Sequence, residues 1–239
     1  MAITDTVDAI LLDIEGTTTP VDFVFGVLFP YARDRVASFL VNQGQVPEVQ
    51  ADLALLRQEY TTEVPTSDLP TWSDTEPVAA VPYIHYLMDC DRKSTGLKSL
   101  QGKLWNQGYT EGRLKSQLFE DVKPAIERWH RAGKRIYIYS SGSIQAQKLL
   151  FGNTEAGDLT PLLQGYFDTT TGPKKEAASY HKIAAAIALP PAQIIFISDV
   201  IAELKAAQAA GLQTLLSQRP GNAPQEPKEF TVITDFTAL

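Results

Sequence analysis

The sequence predicts an α/β protein, a doubly wound, mostly parallel sheet interrupted by a helical insertion. Three observations predict it. Short apolar runs end in acids or hydroxyls beside glycine or a helix start, at 9–19, 135–143 and 194–199. After the second run, strand-like and helical stretches alternate, the pattern of parallel strands joined by helical crossovers. Between the first two runs lie roughly 120 residues, far beyond loop length, with helical periodicity and little strand.

The first run is Ala9-Ile-Leu-Leu-Asp13-Ile-Glu15-Gly16-Thr17-Thr18-Thr19. Its apolar part has the length of a strand buried on both faces. Burying a charge at such a strand end is costly without a partner such as a metal. Ligands of open α/β sheets bind at the carboxyl ends of the strands. Asp13 and Glu15 point the same way by strand alternation. Gly16 permits close backbone approach, and the N–H groups after it are expected to face a phosphate. The plainer alternative is a strand end with a helix-capping acid.

The insertion is expected at 22–120, leaving 1–21 and 121–239 as the core. Amphipathic stripes run through 30–40 (Ala32, Val36, Phe39, Leu40), 47–60 (Val49, Leu53, Leu56, Tyr60), 76–88 (Val78, Val81, Ile84, Leu87, Met88) and 97–105 (Leu97, Leu100, Leu104). Stripes of this kind pack on one another. The core resumes with a helix at 124–131 and Gly133 as its C-terminal cap. Strands follow at 135–140, 193–198 and 212–216, with short ones at 166–170 and 231–234. Helices are expected at 144–151 and 201–210, and 172–176 opens another. The stretches 61–77 and 219–229 are Pro-rich, polar loops.

The strand-end inventory is an aspartate, serines, a lysine and a second aspartate. Each suits phosphoryl transfer to a carboxylate. An aspartate attacks phosphorus, hydroxyl and ammonium groups hold phosphoryl oxygens, and two carboxylates hold Mg²⁺, which neutralises developing charge. Asp199 is read as a metal ligand over a helix cap. Lys174 and Lys175 are adjacent candidates for the phosphate-binding lysine. Glu203, one helical turn after Asp199, either supports the metal through water or faces solvent. His85, His130 and His181 stand alone and read as packing or surface residues. Trp105 and Tyr109 read as aromatics of the insertion's own core, with a pocket for an apolar substrate tail as the alternative.

The order Asp-x-acid-Gly-Thr, strand-Ser, Lys, strand-Ser-Asp resembles the haloacid dehalogenase superfamily. Asp-Ile-Glu-Gly-Thr-Thr-Thr-Pro, Tyr-Ser-Ser-Gly-Ser-Ile-Gln-Ala-Gln-Lys-Leu-Leu-Phe-Gly and Gly-Tyr-Phe-Asp-Thr, with Leu97 to Tyr109, are similar to the enolase-phosphatase (acireductone synthase) family of methionine salvage. The resemblance runs from Ala9 to about Gly211. It implies a helical cap on the core and Mg²⁺ held by Asp13, the backbone carbonyl at Glu15, and Asp199. It implies Asp13 as nucleophile, Glu15 as acid/base, and Ser140, Ser141 and Lys174 on the phosphate; the pattern Gly-x-Lys favours Lys174 over Lys175. The implied substrate is a phosphorylated diketone with a methylthio tail, and the implied state is a monomer. A capped small-molecule phosphatase without enolase activity is the alternative.

Bulk properties fit a soluble enzyme. At 239 residues there is room for a core plus a smaller unit. A net charge of -7 makes nucleic acid or an anionic membrane an unexpected partner. The single cysteine, Cys90, fits a reducing compartment and is flanked by acids that raise a thiol's pKa. No basic-then-apolar leader opens the chain and no run is long enough to span a bilayer, so a cytoplasmic location is expected.

Overall fold

The computed structural model describes residues 6–92, 94–227 and 229–239; residues 1–5 of the expected core segment lie outside these. The chain divides into two compact units, residues 1–26 with 115–239, and residues 27–114.

The first unit holds a six-stranded, wholly parallel sheet in the order β3-β2-β1-β4-β5-β6. The strands are β1 (Ala9–Leu12), β2 (Arg135–Tyr139), β3 (Gly165–Phe167), β4 (Ile194–Ser198), β5 (Gln213–Ser217) and β6 (Val232–Ile233). The first strand lies in the middle, between β2 and β4, so the direction of winding reverses there. Every residue of β1 and β4 is buried, which is why both read as continuous apolar runs rather than alternating ones. Side chains of alternate residues face opposite layers. Ala9 and Leu11 join Tyr139, Tyr180, Ile183, Phe196 and Leu204 in one core. That core takes side chains from α8 (Ala177–Ile187) and α9 (Ile201–Ala209).

Helices α6 (Val122–Arg131) and α7 (Ile144–Gly152) complete the winding. The Ser143 hydroxyl caps α7 by accepting from Ala146 N–H at 3.2 Å. Strand β3 stops at Phe167, earlier than the expected 170. Asp168 turns the chain there, because its carboxylate accepts from the N–H of Thr170 at 2.9 Å and of Ile144 at 3.2 Å. Helix α6 starts two residues before the expected 124, because its own first turn accommodates Pro124.

The second unit is helical: α2 (Phe29–Gln43), α3 (Pro47–Thr61), a 3₁₀ turn (Pro77–Ala80) running into α4 (Val81–Asp89), and α5 (Thr95–Thr110). The apolar stripes face inward, with Val36, Leu56, Ile84, Leu87 and Leu100 all buried, except at Val78, which the 3₁₀ turn leaves exposed because its period is not that of the α-helix. At Gly108 of α5 a Cβ would lie 2.7 Å from the Tyr31 ring of α2, so glycine sets how closely these helices approach. Trp105 Nε1 donates to the carbonyl of Leu28 at 2.8 Å, and Tyr109 is buried; both belong to this unit's own core. The short helix α1 (Val21–Phe23) and the π-turn after it (Val24–Leu28) have no counterpart in the sequence reading. They are too short to show periodicity. No helix among the described residues is long and apolar enough to cross a membrane.

Candidate active site

Asp13 follows β1 directly. Its N–H donates to the carbonyl of Ile197 on β4 at 3.0 Å, so the ladder fixes its position. The residue is 2% exposed. Its Oδ1 accepts from Ile14 N–H at 2.8 Å and lies 2.6 Å from Lys174 Nζ. Its Oδ2 accepts from the Ser198 hydroxyl at 2.9 Å. Lys174 sits in the loop before α8, also buried, and its Nζ is 2.6 Å from Glu203 Oε2 as well. Tyr180 fixes the loop by donating from its hydroxyl to the Lys174 carbonyl at 2.7 Å.

Glu203 is buried at 7% exposure. It does not face solvent; its carboxylate meets the same Lys174 ammonium as Asp13 does. The Ser198 hydroxyl also lies 3.1 Å from Glu203 Oε2. One hydroxyl proton cannot serve two carboxylates at once, so Ser198 donates to Asp13 or to Glu203 and links the two acids. Burial, reinforced by the Asp13 charge, pushes the Glu203 carboxyl up to about 7. Burial and Asp13 push Asp199 up to about 7 as well. For Lys174, burial opposes the charge, but Asp13 and Glu203 outweigh it and hold the ammonium protonated.

The loop after Asp13 differs from the expected phosphate cradle. The N–H groups of Thr17, Thr18 and Thr19 all donate to the Ile14 carbonyl, and Gly16 N–H donates to Thr19 O at 2.8 Å. These amides are spent inside the turn and do not face a phosphate. Gly16 is required for another reason. Its φ is +67°, and a Cβ there would lie 2.4 Å from Asp199 Oδ2. Glu15 is half-buried and bridges Thr19 through the main chain.

Ser140 follows β2 at the same end of the sheet as Asp13 and Asp199, since the strands are parallel. It is buried, and its hydroxyl accepts from Gly142 N–H at 3.1 Å. Ser141, next in the loop, is partly exposed. Lys175 is exposed, beside its buried neighbour Lys174. His130 and His181 are exposed on α6 and α8, His85 is held by the Arg33 carbonyl at 3.1 Å, and Cys90 is exposed.

Several supports are given no role in the sequence reading, although Gln147 lies within one of its motifs. Gln147 donates to the carbonyls of Gly142 and Phe167 at 2.9 and 2.8 Å, bracing the serine loop. The end of β5 and the segment after it clamp the Asp13 loop. Ser217 and Asn222 both donate to the Gly16 carbonyl, at 3.0 and 2.9 Å. Arg219, only 4% exposed, donates to Thr17 O and pairs with Asp121 at 2.9 Å. The sequence marks this segment only as the Pro-rich, polar loop 219–229.

Asp13 and Glu203 share the Lys174 ammonium and Asp199 lies in the field of the same charges, so the site carries an excess of negative charge when all three acids ionise. Among the described residues, no three His, Cys, Asp or Glu side chains form a ready metal-ligand group. Two carboxylates with a backbone carbonyl and water are nevertheless a donor set that suits Mg²⁺, which keeps several waters. The missing Cβ at Gly16 leaves the space against Asp199 open.

The model for haloacid dehalogenase-like hydrolases matches residues 7–211. Enolase-phosphatase E1 of Synechococcus elongatus is 64% identical over 98% of both chains. That of Pseudomonas fluorescens is 46% identical over 98% of this chain and 97% of the other. Among solved structures, the UTR4 protein of Saccharomyces cerevisiae superposes with a TM-score of 0.79 at 34% identity, covering 98% of this chain and 100% of that one. CbbY of Rhodobacter sphaeroides, at 16% identity and a TM-score of 0.57 over 96% of this chain and 95% of its own, shares the fold. The chain belongs to the haloacid dehalogenase-like hydrolases and, within them, to the enolase-phosphatase E1 family.

Proposed function

We propose that this protein is a bifunctional enolase-phosphatase. It converts 2,3-diketo-5-methylthiopentyl 1-phosphate to the acireductone 1,2-dihydroxy-3-keto-5-methylthiopentene and inorganic phosphate. The observation that carries this reading is the 64% identity to an enolase-phosphatase E1 over 98% of both chains. The buried Asp13–Lys174–Glu203 array supports it.

Enolisation comes first. A base removes the proton beside the carbonyl, the electron pair moves onto the carbonyl oxygen, and that oxygen takes a proton from water to give the enol; the proton that water later releases on hydrolysing the aspartyl-phosphate restores the balance. Glu15 is the candidate base, two residues beyond Asp13 and only half-buried. Asp13 then attacks phosphorus. A bond forms from its carboxylate oxygen to phosphorus, and the bond from phosphorus to the enol oxygen breaks. Glu15 supplies the proton to that leaving oxygen. Water next attacks the aspartyl-phosphate, releasing phosphate and restoring the Asp13 carboxylate. Lys174 neutralises the charge gathered on Asp13 and the phosphoryl group, and Glu203 holds the ammonium in place. Ser140 and Ser141 bind phosphoryl oxygens. Asp13, the Glu15 carbonyl and Asp199 would hold Mg²⁺, which when bound neutralises phosphoryl charge. The helical unit at 27–114 serves as the cap, and the chain acts as a cytoplasmic monomer.

The test is a product assay with the diketone phosphate that follows enol absorbance and free phosphate together. Both products are expected. Efficient turnover of many small phosphoesters, with none of the diketone, would replace this reading by a phosphatase without enolase activity.

A further inference from the structure

Asn222 belongs to no motif of the sequence reading. Its side-chain N–H₂ group donates to Gly16 O at 2.9 Å and to Ser217 O at 3.3 Å. Turning the amide over would set its oxygen against two carbonyl oxygens, so the orientation is determined. The remaining atom, Asn222 Oδ1, is buried and has no hydrogen-bond partner among the described residues. Leaving a buried acceptor unpaired is costly.

The position of that oxygen gives it a use. A Cβ built on Gly16 would lie 2.8 Å from Asn222 Oδ1 and 2.4 Å from Asp199 Oδ2. The two oxygens therefore face one small gap, kept open because residue 16 has no side chain. Once Asp199 is ionised both are acceptors, and facing acceptors need a donor or a cation between them. The gap adjoins the carboxylate read above as a cation ligand. Mg²⁺ commonly retains several of its waters, and a water on Mg²⁺ is a strong donor.

We propose that Asn222 is a positioning residue of the cation site, with Oδ1 accepting a hydrogen bond from a cation-bound water beside Asp199. The same side chain ties the site to the Asp13 loop through Gly16 O. This inference rests on the Mg²⁺ reading of Asp13 and Asp199.

The experiment is calorimetric titration of Mg²⁺ into chelator-treated protein without substrate. It compares wild type with Asn222→Ala, Ser217→Ala and Asp199→Ala, and a thermal melt in chelator checks that each variant is folded. Ser217→Ala removes the other side-chain donor to Gly16 O without touching the gap. Loss of a partner to a metal's bound shell commonly costs about tenfold to a hundredfold in affinity. Asn222→Ala is expected to weaken Mg²⁺ by that much, and Ser217→Ala by less than about threefold on the same scale. Wild-type affinity in Asn222→Ala overturns the proposal. So does equal weakening in Ser217→Ala, which would reduce Asn222 to a loop clamp. Wild-type affinity in Asp199→Ala instead overturns the cation reading itself. Should Asn222→Ala fail to fold, Asn222→Ser is read by the same criteria.

Discussion

Replacing Lys174 by alanine tests the buried charge array most directly. The ammonium lies 2.6 Å from both Asp13 and Glu203, with all three side chains under a tenth exposed. Its removal leaves two carboxylates without a counter-charge in a dry site. Breaking a buried pair from one side costs about 3–5 kcal/mol. For a chain of this size each kcal/mol shifts melting by about 2–4 °C, so the variant should melt on the order of 10 °C lower in chelator. The deficit should depend on pH. Glu203 titrates at about 7 in the folded chain, against about 4.3 unfolded. Its contribution is therefore most favourable below the unfolded value and declines as pH rises through 7. Lys174 restrains that decline, so its loss should cost more at pH 8 than at pH 5. Turnover should fall by about 1.5 to 3 decades, from about 2–4 kcal/mol of lost charge-assisted stabilisation. The exposed Lys175→Ala should change neither quantity. Thermal melts and phosphate-release kinetics read both. Wild-type melting in Lys174→Ala, or a deficit that grows as pH falls, would refute the argument.

Further outcomes follow from the same geometry. Asp13→Asn removes the nucleophile but keeps an amide oxygen, so with the diketone phosphate it should accumulate an ultraviolet-absorbing enol without free phosphate; normal phosphate release would rule out the aspartyl-phosphate. Mg²⁺ must displace the proton that Asp199 holds up to about 7, so calorimetric Mg²⁺ affinity should rise about tenfold from pH 6 to pH 8, and a flat profile would contradict that competition. Chelation should abolish phosphate release, Mg²⁺ should restore it, and Ca²⁺ should do so poorly because its coordination is looser. Arg219→Lys should lower the denaturation free energy by more than about 2 kcal/mol, since lysine cannot reproduce the fork that joins Asp121 to the Thr17 and Thr234 carbonyls; a wild-type denaturation midpoint would show that this fork contributes little.

The sequence by itself determined the sheet and the order of its chemistry. The runs at 9–12 and 194–198 are apolar throughout because both faces of those strands are buried, and burial on both faces leaves a mark that needs no partner to be read. Glycine and serine after each run marked the ends of the strands, and 3.6-residue stripes marked the helical unit. Tertiary structure decided what these groups do to one another. Ser198 meets Asp13 across 185 positions and Asn222 meets Gly16 across 206. Nothing local distinguishes Glu203 from a solvated helix acid or Arg219 from a loop charge, since periodicity records which side of an element is buried and not which polar group waits there. Even the turn after Asp13, legible as a glycine loop, closed on its own Ile14 carbonyl instead of opening its amides to a ligand. The sign and strength of each charge in the site depend on distance and dielectric, and both exist only once strands distant in the chain lie side by side.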